Sequence, residues 1–165
     1  MKCFDVDDVK TQEQYTKFIE YMLSYSEYFS FIYFRYSENE KMKKSAREIH
    51  DALKKFKVKS CFTNEWPGTI SFDTTNFYKF VVYRSDVSVK EILCRYHRLF
   101  DWDYPQAPMD LCFYKNGYCC FSVTAHECDA TLYTDDNQLI FDLQQIGMKF
   151  KYLYDTDQIF HLKLS

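Results

Sequence analysis

The chain has 165 residues, a mass of 20.0 kDa and a net charge of −3, which fits one domain and gives no overall field to attract nucleic acid or an anionic membrane. Hydrophobic residues make up 47% of it and aromatic residues 20%, too many for a disordered chain. Three glycines and three prolines exclude Gly-rich and Pro-rich linkers and leave no room for a P-loop or a dinucleotide-binding fingerprint. We therefore predict one domain over residues 1–165.

The first half of the chain combines helical and strand patterns. Apolar residues recur at helical spacing over about Thr11–Glu27 and Lys41–Phe56, which predicts two helices. Aromatic runs predict strands at Phe29–Tyr36 and Asn76–Arg84. Between them, the sequence Trp66-Pro67-Gly68-Thr69 predicts a tight turn, because Pro fixes φ and Gly tolerates positive φ.

The clearest local signal in the second half is Asn116-Gly117, the preferred pair for a two-residue type I′ turn between two strands. The other elements predicted there are a helix over about Ser85–Phe100, a loop over 101–108, a strand at Ala130–Thr134, a helix over Asn137–Ile146 closed by Gly147, and short strands at Lys149–Tyr154 and Gln158–Leu164. Because short turns join several strands and helices are interspersed among them, we predict an α+β domain with a largely antiparallel sheet and about four helices.

The seven cysteines are odd in number and follow no regular spacing. The N-terminal segment Met1–Asp8 is acidic and has no apolar stretch of the kind found in signal peptides. No apolar run approaches the roughly 18–20 residues that span a bilayer. We therefore expect a cytoplasmic protein without a membrane partner, whose thiols are reduced and packed in the core.

His126 and Glu127 are the adjacent pair in the sequence that is of most interest for acid–base chemistry. A histidine beside a carboxylate at the end of a strand can act as a general base with an orienting partner, with Asp110 or Asp129 nearby. The more frequent arrangement is a structural corner whose polar groups bond to the backbone. For that arrangement we predict that the corner packs against the Trp66–Thr69 turn, with a ring nitrogen of His126 donating to a carbonyl of the turn.

The cysteines near this corner invite a zinc interpretation, but the sequence contains no Cys-x₂-Cys pair. A two-residue turn at Asn116-Gly117 pairs Cys112 with Phe121 and puts Cys112 on the same sheet face as Cys119. Cys120 then faces the opposite side. We predict core cysteines, no bound metal and no cofactor.

Charge is distributed unevenly along the chain. Residues Lys41–Ser60 contain eight basic and two acidic residues, whereas Asp101–Ser165 contain four basic and ten acidic residues. A nucleic-acid partner is disfavoured, because no basic sheet with interleaved aromatic residues accompanies the basic helix. The loop Asp101, Trp102, Asp103 and Tyr104 brackets aromatic rings with carboxylates, which predicts a contact with a basic protein. The alternative is that both rings fold back onto the core.

Four segments taken together resemble a group of small uncharacterised bacterial proteins, some of which carry a sporulation-related label. The segments are Glu65–Thr69 (EWPGT), Leu99–Trp102 (LFDW), Pro108–Gly117 (PMDLCFYKNG) and Phe121–Glu127 (FSVTAHE), within about residues 60–130. The chain departs from the group at Met109, where the group favours an acidic residue, and in its Cys-rich hairpin. The resemblance implies that the WPG turn and the AHE corner belong to one structural feature, and it assigns no catalytic residue.

The absence of a catalytic sequence motif favours a non-enzymatic binding protein. Its most concrete form is an immunity-type protein that neutralises a basic toxin domain, since small intracellular proteins of this kind often have that role. The alternative is a small hydrolase or nuclease that uses His126 and Glu127. A nucleic-acid-associated protein acting through the basic helix is the least favoured of the three.

Overall fold

The computed structural model describes residues 1–34, 43–73 and 78–165. Its helices are α1 (Gln12–Tyr25), α2 (Lys44–Leu53), α3 (Lys90–Leu93) and α4 (Asn137–Gln145). Its strands are β1 (Lys2–Val6), β2 (Tyr28–Phe34), β3 (Lys57–Thr63), β4 (Glu65–Trp66), β5 (Thr69–Ile70), β6 (Tyr78–Arg84), β7 (Met109–Lys115), β8 (Tyr118–Thr124), β9 (Asp129–Thr134) and β10 (Phe150–Asp155).

Eight of these strands form one sheet in the order β10-β1-β9-β8-β7-β2-β6-β3, and β4 and β5 form a separate two-stranded hairpin. Neighbouring strands in the large sheet pair antiparallel throughout. With the helices, this arrangement confirms the predicted α+β class and its largely antiparallel sheet.

The two faces of the sheet have different cover. The main core lies on the helical face, where the buried stripe of α1 meets rings from the central strands, such as Phe18 against Phe121 at 4.9 Å between centroids. Apolar residues every three to four positions along α1 produce that stripe, and Thr11 caps the helix by accepting from the backbone N–H of Gln14. On the opposite face, Trp66 of the β4–β5 hairpin and Phe160 of the C-terminal segment pack over the middle of the sheet.

Several predicted elements differ in the structure. The helix expected over Ser85–Phe100 is broken into short helical turns, of which α3 has four residues. The expected final strand at Gln158–Leu164 is reduced to a single bridge between His161 and Tyr118. Strands β1 and β3 are not among the elements that the sequence patterns predict. The ends of three predicted elements lie outside the described residues: the end of the strand at Phe29–Tyr36, the start of the helix at Lys41–Phe56 and the start of the strand at Asn76–Arg84.

The β7–β8 hairpin forms around Asn116-Gly117 as predicted, but its register shifts by one residue. Lys115 pairs with Tyr118 and Tyr114 with Cys119, after which Phe113 pairs with Phe121. The extra residue is Cys120, so the predicted pairing of Cys112 with Phe121 is wrong. The predicted faces are correct, because Cys112 and Cys119 lie in the cluster on the face opposite the helices and Cys120 lies in the main core.

No helix in the described part of the chain is long and apolar enough to cross a membrane.

Candidate functional site

Asp110 joins three segments of the chain at one end of the sheet. Its Oδ2 accepts from Nε1 of Trp66 in the β4–β5 hairpin at 2.8 Å, and its Oδ1 accepts from the backbone N–H of Ala125 at 3.0 Å. Its own backbone N–H donates to the carbonyl of Trp102 at 3.1 Å. The hairpin, the corner after β8 and the loop before β7 therefore meet at a single residue.

The backbone of β7 is irregular where Asp110 lies. Between the pairs Met109–Ile32 and Cys112–Ser30, β7 carries one residue more than β2, and Asp110 adopts a φ of 57°. Such a bulge changes the direction of a side chain at the end of a strand, and aspartate tolerates the left-handed region better than most residues.

The Asp110 carboxyl is almost fully buried, with 1% of the residue's surface exposed. Burial raises its pKa above the usual range, while the N–H donors of Trp66 and Ala125 and the nearby His126 act in the opposite direction. A buried carboxyl group of this kind is tolerated because its two oxygens are each satisfied by a donor.

The turn and the corner also touch directly. Gly68 adopts a φ of 79°, and a Cβ added there would lie 2.7 Å from Oγ1 of Thr124, the last residue of β8. Only glycine fits this backbone conformation at this separation. The structure thus brings the Trp66–Thr69 turn against the His126-Glu127 corner, as the sequence predicted. Within the described residues, however, the hydrogen bonds that connect them run through Asp110 and not through His126.

His126 and Glu127 are exposed on a single helical turn that follows β8. Their side chains are 54% and 63% exposed, and Nε2 of His126 lies 3.5 Å from Oε1 of Glu127. The expected structural role of His126, a ring bonded to the turn, is therefore wrong. Because both side chains are largely in solvent, the pair forms only a loose contact at the rim of the site.

The residues of the predicted contact loop lie in different places: Trp102 lies in the core, whereas Asp103 and Tyr104 lie at the site. Trp102 is fully buried, and its Nε1 donates to Oη of Tyr15, which in turn donates to the carbonyl of Leu93. This corrects the prediction that Trp102 contacts a partner, because a fully buried side chain offers no surface. The Asp101 carboxylate accepts from the backbone N–H groups of His97 and Arg98 and so stabilises its own turn.

The two remaining residues of that loop, Asp103 and Tyr104, line a cavity of about 540 Å³ together with Asp110, His126 and Glu127. We call it the Asp110 cavity. Its further lining residues include the aromatic rings of Phe34, Trp66 and Tyr78, and also Ile70 and Met109. Residues of the predicted contact loop and the pair His126 and Glu127, which were separate candidates in the sequence, thus line the same cavity.

Aromatic rings follow one another along the cavity. Ring centroids lie 4.8 Å apart for Trp66 and Tyr78, 5.1 Å for Tyr78 and Phe34, and 4.5 Å for Phe34 and Tyr104. No lysine or arginine is among the described residues that line the cavity, whereas three carboxyl groups are. The site therefore combines π faces with negative charge.

A larger cavity of about 590 Å³ lies between the β4–β5 hairpin and the segment after β10. Its ionisable lining residues are Glu65, Asp157, Tyr133 and Cys119. Neither the predicted contact loop, residues 101–104, nor the pair His126 and Glu127 lines this cavity. The described residues contain no cluster of three or more His, Cys, Asp or Glu side chains placed to hold a metal ion.

Sequence reasoning missed the role of Asp110 as the common acceptor and the contribution of Phe34 and Tyr78 to the cavity. The need of Trp66 for an acceptor was a usable signal, because a buried indole N–H requires one. The identity of that acceptor depends on the bulge in β7, which the residue pattern does not reveal.

Comparison of the chain with protein-family models, with curated proteins and with solved structures gave no match.

Proposed function

We propose that this protein is a non-enzymatic binding protein whose Asp110 cavity receives a basic segment of a partner protein. The observation that carries this proposal is the pairing of four aromatic rings with the carboxylates of Asp103 and Glu127 in one concavity. Aromatic faces and negative charge together attract a positively charged partner, through cation–π contacts and through electrostatic complementarity.

The chemistry of the lining residues favours binding over catalysis. The most buried carboxyl group, Asp110, has a structural role, because each of its oxygens already accepts a hydrogen bond from the protein. His126 and Glu127 are more than half exposed, whereas a catalytic pair needs surrounding side chains that hold it in one productive geometry.

A basic toxin domain that the protein neutralises is the most concrete partner. The acidic C-terminal part of the chain, with ten acidic and four basic residues over Asp101–Ser165, accelerates encounter with such a surface. The resemblance to small bacterial proteins is consistent with this role and stays a prediction.

Affinity capture from the organism that encodes the chain tests the proposal. The wild type is compared with the double variant Asp103→Asn/Glu127→Gln. The matched control is Glu91→Gln/Asp155→Asn, which removes the same charges from exposed residues outside the cavity. We expect a basic protein whose capture falls about tenfold or more with the cavity variant and is unchanged with the control. Equal capture by both variants, or no captured protein, contradicts the proposal.

A hydrolase or nuclease that uses His126 and Glu127 is the second candidate, because the two side chains lie 3.5 Å apart in the same cavity as Asp110. His126→Ala tests it cleanly. Since the ring is exposed, the free energy of unfolding should change by less than about 0.5 kcal/mol. Hydrolysis of ester or phosphodiester substrates that the wild type catalyses and this stable variant does not would establish the catalytic role.

A further inference from the structure

Resting on the binding function proposed above, we infer that the Asp110 cavity is a pocket for one arginine side chain of a partner protein. The inference follows from three properties of the cavity: its ring-lined wall, its carboxylates and its apolar rim.

The wall provides the surface that a guanidinium group stacks on. The ring of Phe34 contacts that of Tyr78 in tilted geometry and that of Tyr104 in edge-on geometry, so the three rings stand at different angles along the cavity. Arginine is the cation that most often lies over aromatic faces, because its planar group is weakly hydrated and keeps donors free at its edges while it stacks.

The carboxylates provide acceptors for those edges. Asp103 is half-buried, and Glu127 is 63% exposed, with Nε2 of His126 at 3.5 Å from its Oε1. A planar fork of N–H donors can bond a carboxylate with two parallel hydrogen bonds, which a lysine ammonium cannot do. The same cavity therefore favours a guanidinium over an ammonium group.

The rim indicates that the arginine belongs to a protein and not to a free metabolite. Ile70 lines the cavity and is 65% exposed, and Phe72, beyond the lining residue Ser71, is 93% exposed. Large apolar side chains left exposed beside a pocket are typical of protein contact sites. A volume of about 540 Å³ is also ordinary for a ligand site and accommodates a side chain with its stem.

The test uses Nα-acetyl-L-arginine amide as the probe and Nα-acetyl-L-lysine amide as its matched comparison. Binding is followed through the indole N–H resonances in a ¹H–¹⁵N spectrum of the whole protein. Trp66 lines the cavity and reports occupancy, whereas the fully buried Trp102 is an internal control. We expect the arginine probe to shift the Trp66 resonance saturably in the millimolar range, roughly fivefold more tightly than the lysine probe, with no shift at Trp102.

Asp103→Asn should weaken the arginine probe about threefold or more, and Glu91→Gln should not. Equal or tighter binding of the lysine probe, or no shift of Trp66, overturns the guanidinium assignment. If the arginine probe fails while partner capture still depends on Asp103 and Glu127, the assignment is wrong and the binding function stands. If capture is also indifferent to those residues, both proposals are wrong.

Discussion

The carboxyl group of Asp110 provides a direct test of how the site is held together, because two buried donors on different segments depend on it. Asp110→Asn keeps the shape of the side chain but supplies one acceptor oxygen and one NH₂ group. One buried N–H then loses its acceptor, at a cost of about 1–3 kcal/mol in unfolding free energy. Asp110→Ala removes both acceptors and puts alanine at a φ of 57°, which adds about 1–2 kcal/mol of backbone strain.

These losses are partly offset, because both variants also remove the desolvation of a buried carboxyl whose pKa is raised. We therefore expect a loss of unfolding free energy of about 1–2 kcal/mol for Asp110→Asn and of about 3–5 kcal/mol for Asp110→Ala. The larger loss is a substantial part of the roughly 5–15 kcal/mol by which a domain is stable.

Urea unfolding followed by far-UV circular dichroism measures these changes, and Trp66→Phe provides the second arm of a double-mutant cycle. Trp66→Phe removes the indole donor, so in the double variant the single side-chain oxygen of the introduced asparagine can serve the backbone N–H of Ala125 alone. Asp110→Asn should then cost about 1 kcal/mol less than in the wild type. The reasoning is refuted if Asp110→Ala lies within about 0.5 kcal/mol of the wild type, or if the two substitutions are additive.

Three further predictions concern the surroundings of the site. Tyr15→Phe leaves the buried indole N–H of Trp102 and a backbone carbonyl without partners, so calorimetry should show a loss of about 2–4 kcal/mol; an unchanged melting temperature would contradict the described bonding. Gly68→Ala and Gly117→Ala introduce the same residue at nearly equal φ values of 79° and 78°. Only the Cβ at position 68 meets another atom within 4 Å, with Oγ1 of Thr124 at 2.7 Å. Gly68→Ala should therefore be the less stable of the two variants in urea. The raised pKa of Asp110 means that the folded state holds this proton more tightly than the unfolded state. The protonated carboxyl therefore contributes its full stabilisation of the folded state below the ordinary pKa of aspartate, and this stabilisation is lost as the pH rises through the raised pKa of the folded state. The stability of the wild type relative to Asp110→Asn should accordingly fall as the pH rises from about 4, near the ordinary pKa of aspartate, and a gap that widens with pH would contradict the sign.

Local patterns predict α1, α2, α4 and the turn of the central hairpin, because each depends on residues close in sequence. The stripe of α1 and the Asn116-Gly117 turn are examples, and both form as expected. Strand β1 escapes such patterns because its short, mixed sequence KCFDV has little strand signal of its own. Its pairing with β9 and β10 comes from residues far along the chain, such as Lys2 with Asp155, which no local window contains.

In contrast to β1, which local patterns miss, the helix predicted over Ser85–Phe100 is an element that local patterns predict and the structure does not form as one helix. Its apolar spacing continues to Phe100, yet the chain leaves the helix after α3 and turns again at Leu99–Asp101. Asp101 accepts from two backbone N–H groups just before it, and Asp8 accepts from that of Leu99. These carboxylates satisfy backbone donors in a non-helical conformation, and contacts of this kind override periodicity.

The candidate site illustrates why its two halves could be found from the sequence while their connection could not. The loop with Asp103 and Tyr104 and the corner with His126 and Glu127 stand out by composition, and they line one cavity because Asp110 binds the segments on either side of it. Its N–H holds the loop through the Trp102 carbonyl, and its carboxyl holds the corner and the hairpin.

A substitution at Asp110 should therefore weaken partner binding by disturbing both walls, even though only 1% of the residue's surface is exposed. Binding and stability should fall together in Asp110 variants, whereas Asp103→Asn, at the half-buried rim, should reduce binding alone. Partner capture and urea unfolding of the same variants measure the two effects side by side, and an Asp110 variant that loses stability but binds normally would contradict the argument. This comparison distinguishes Asp110, which holds the walls of the cavity in place, from Asp103, which we propose contacts the ligand.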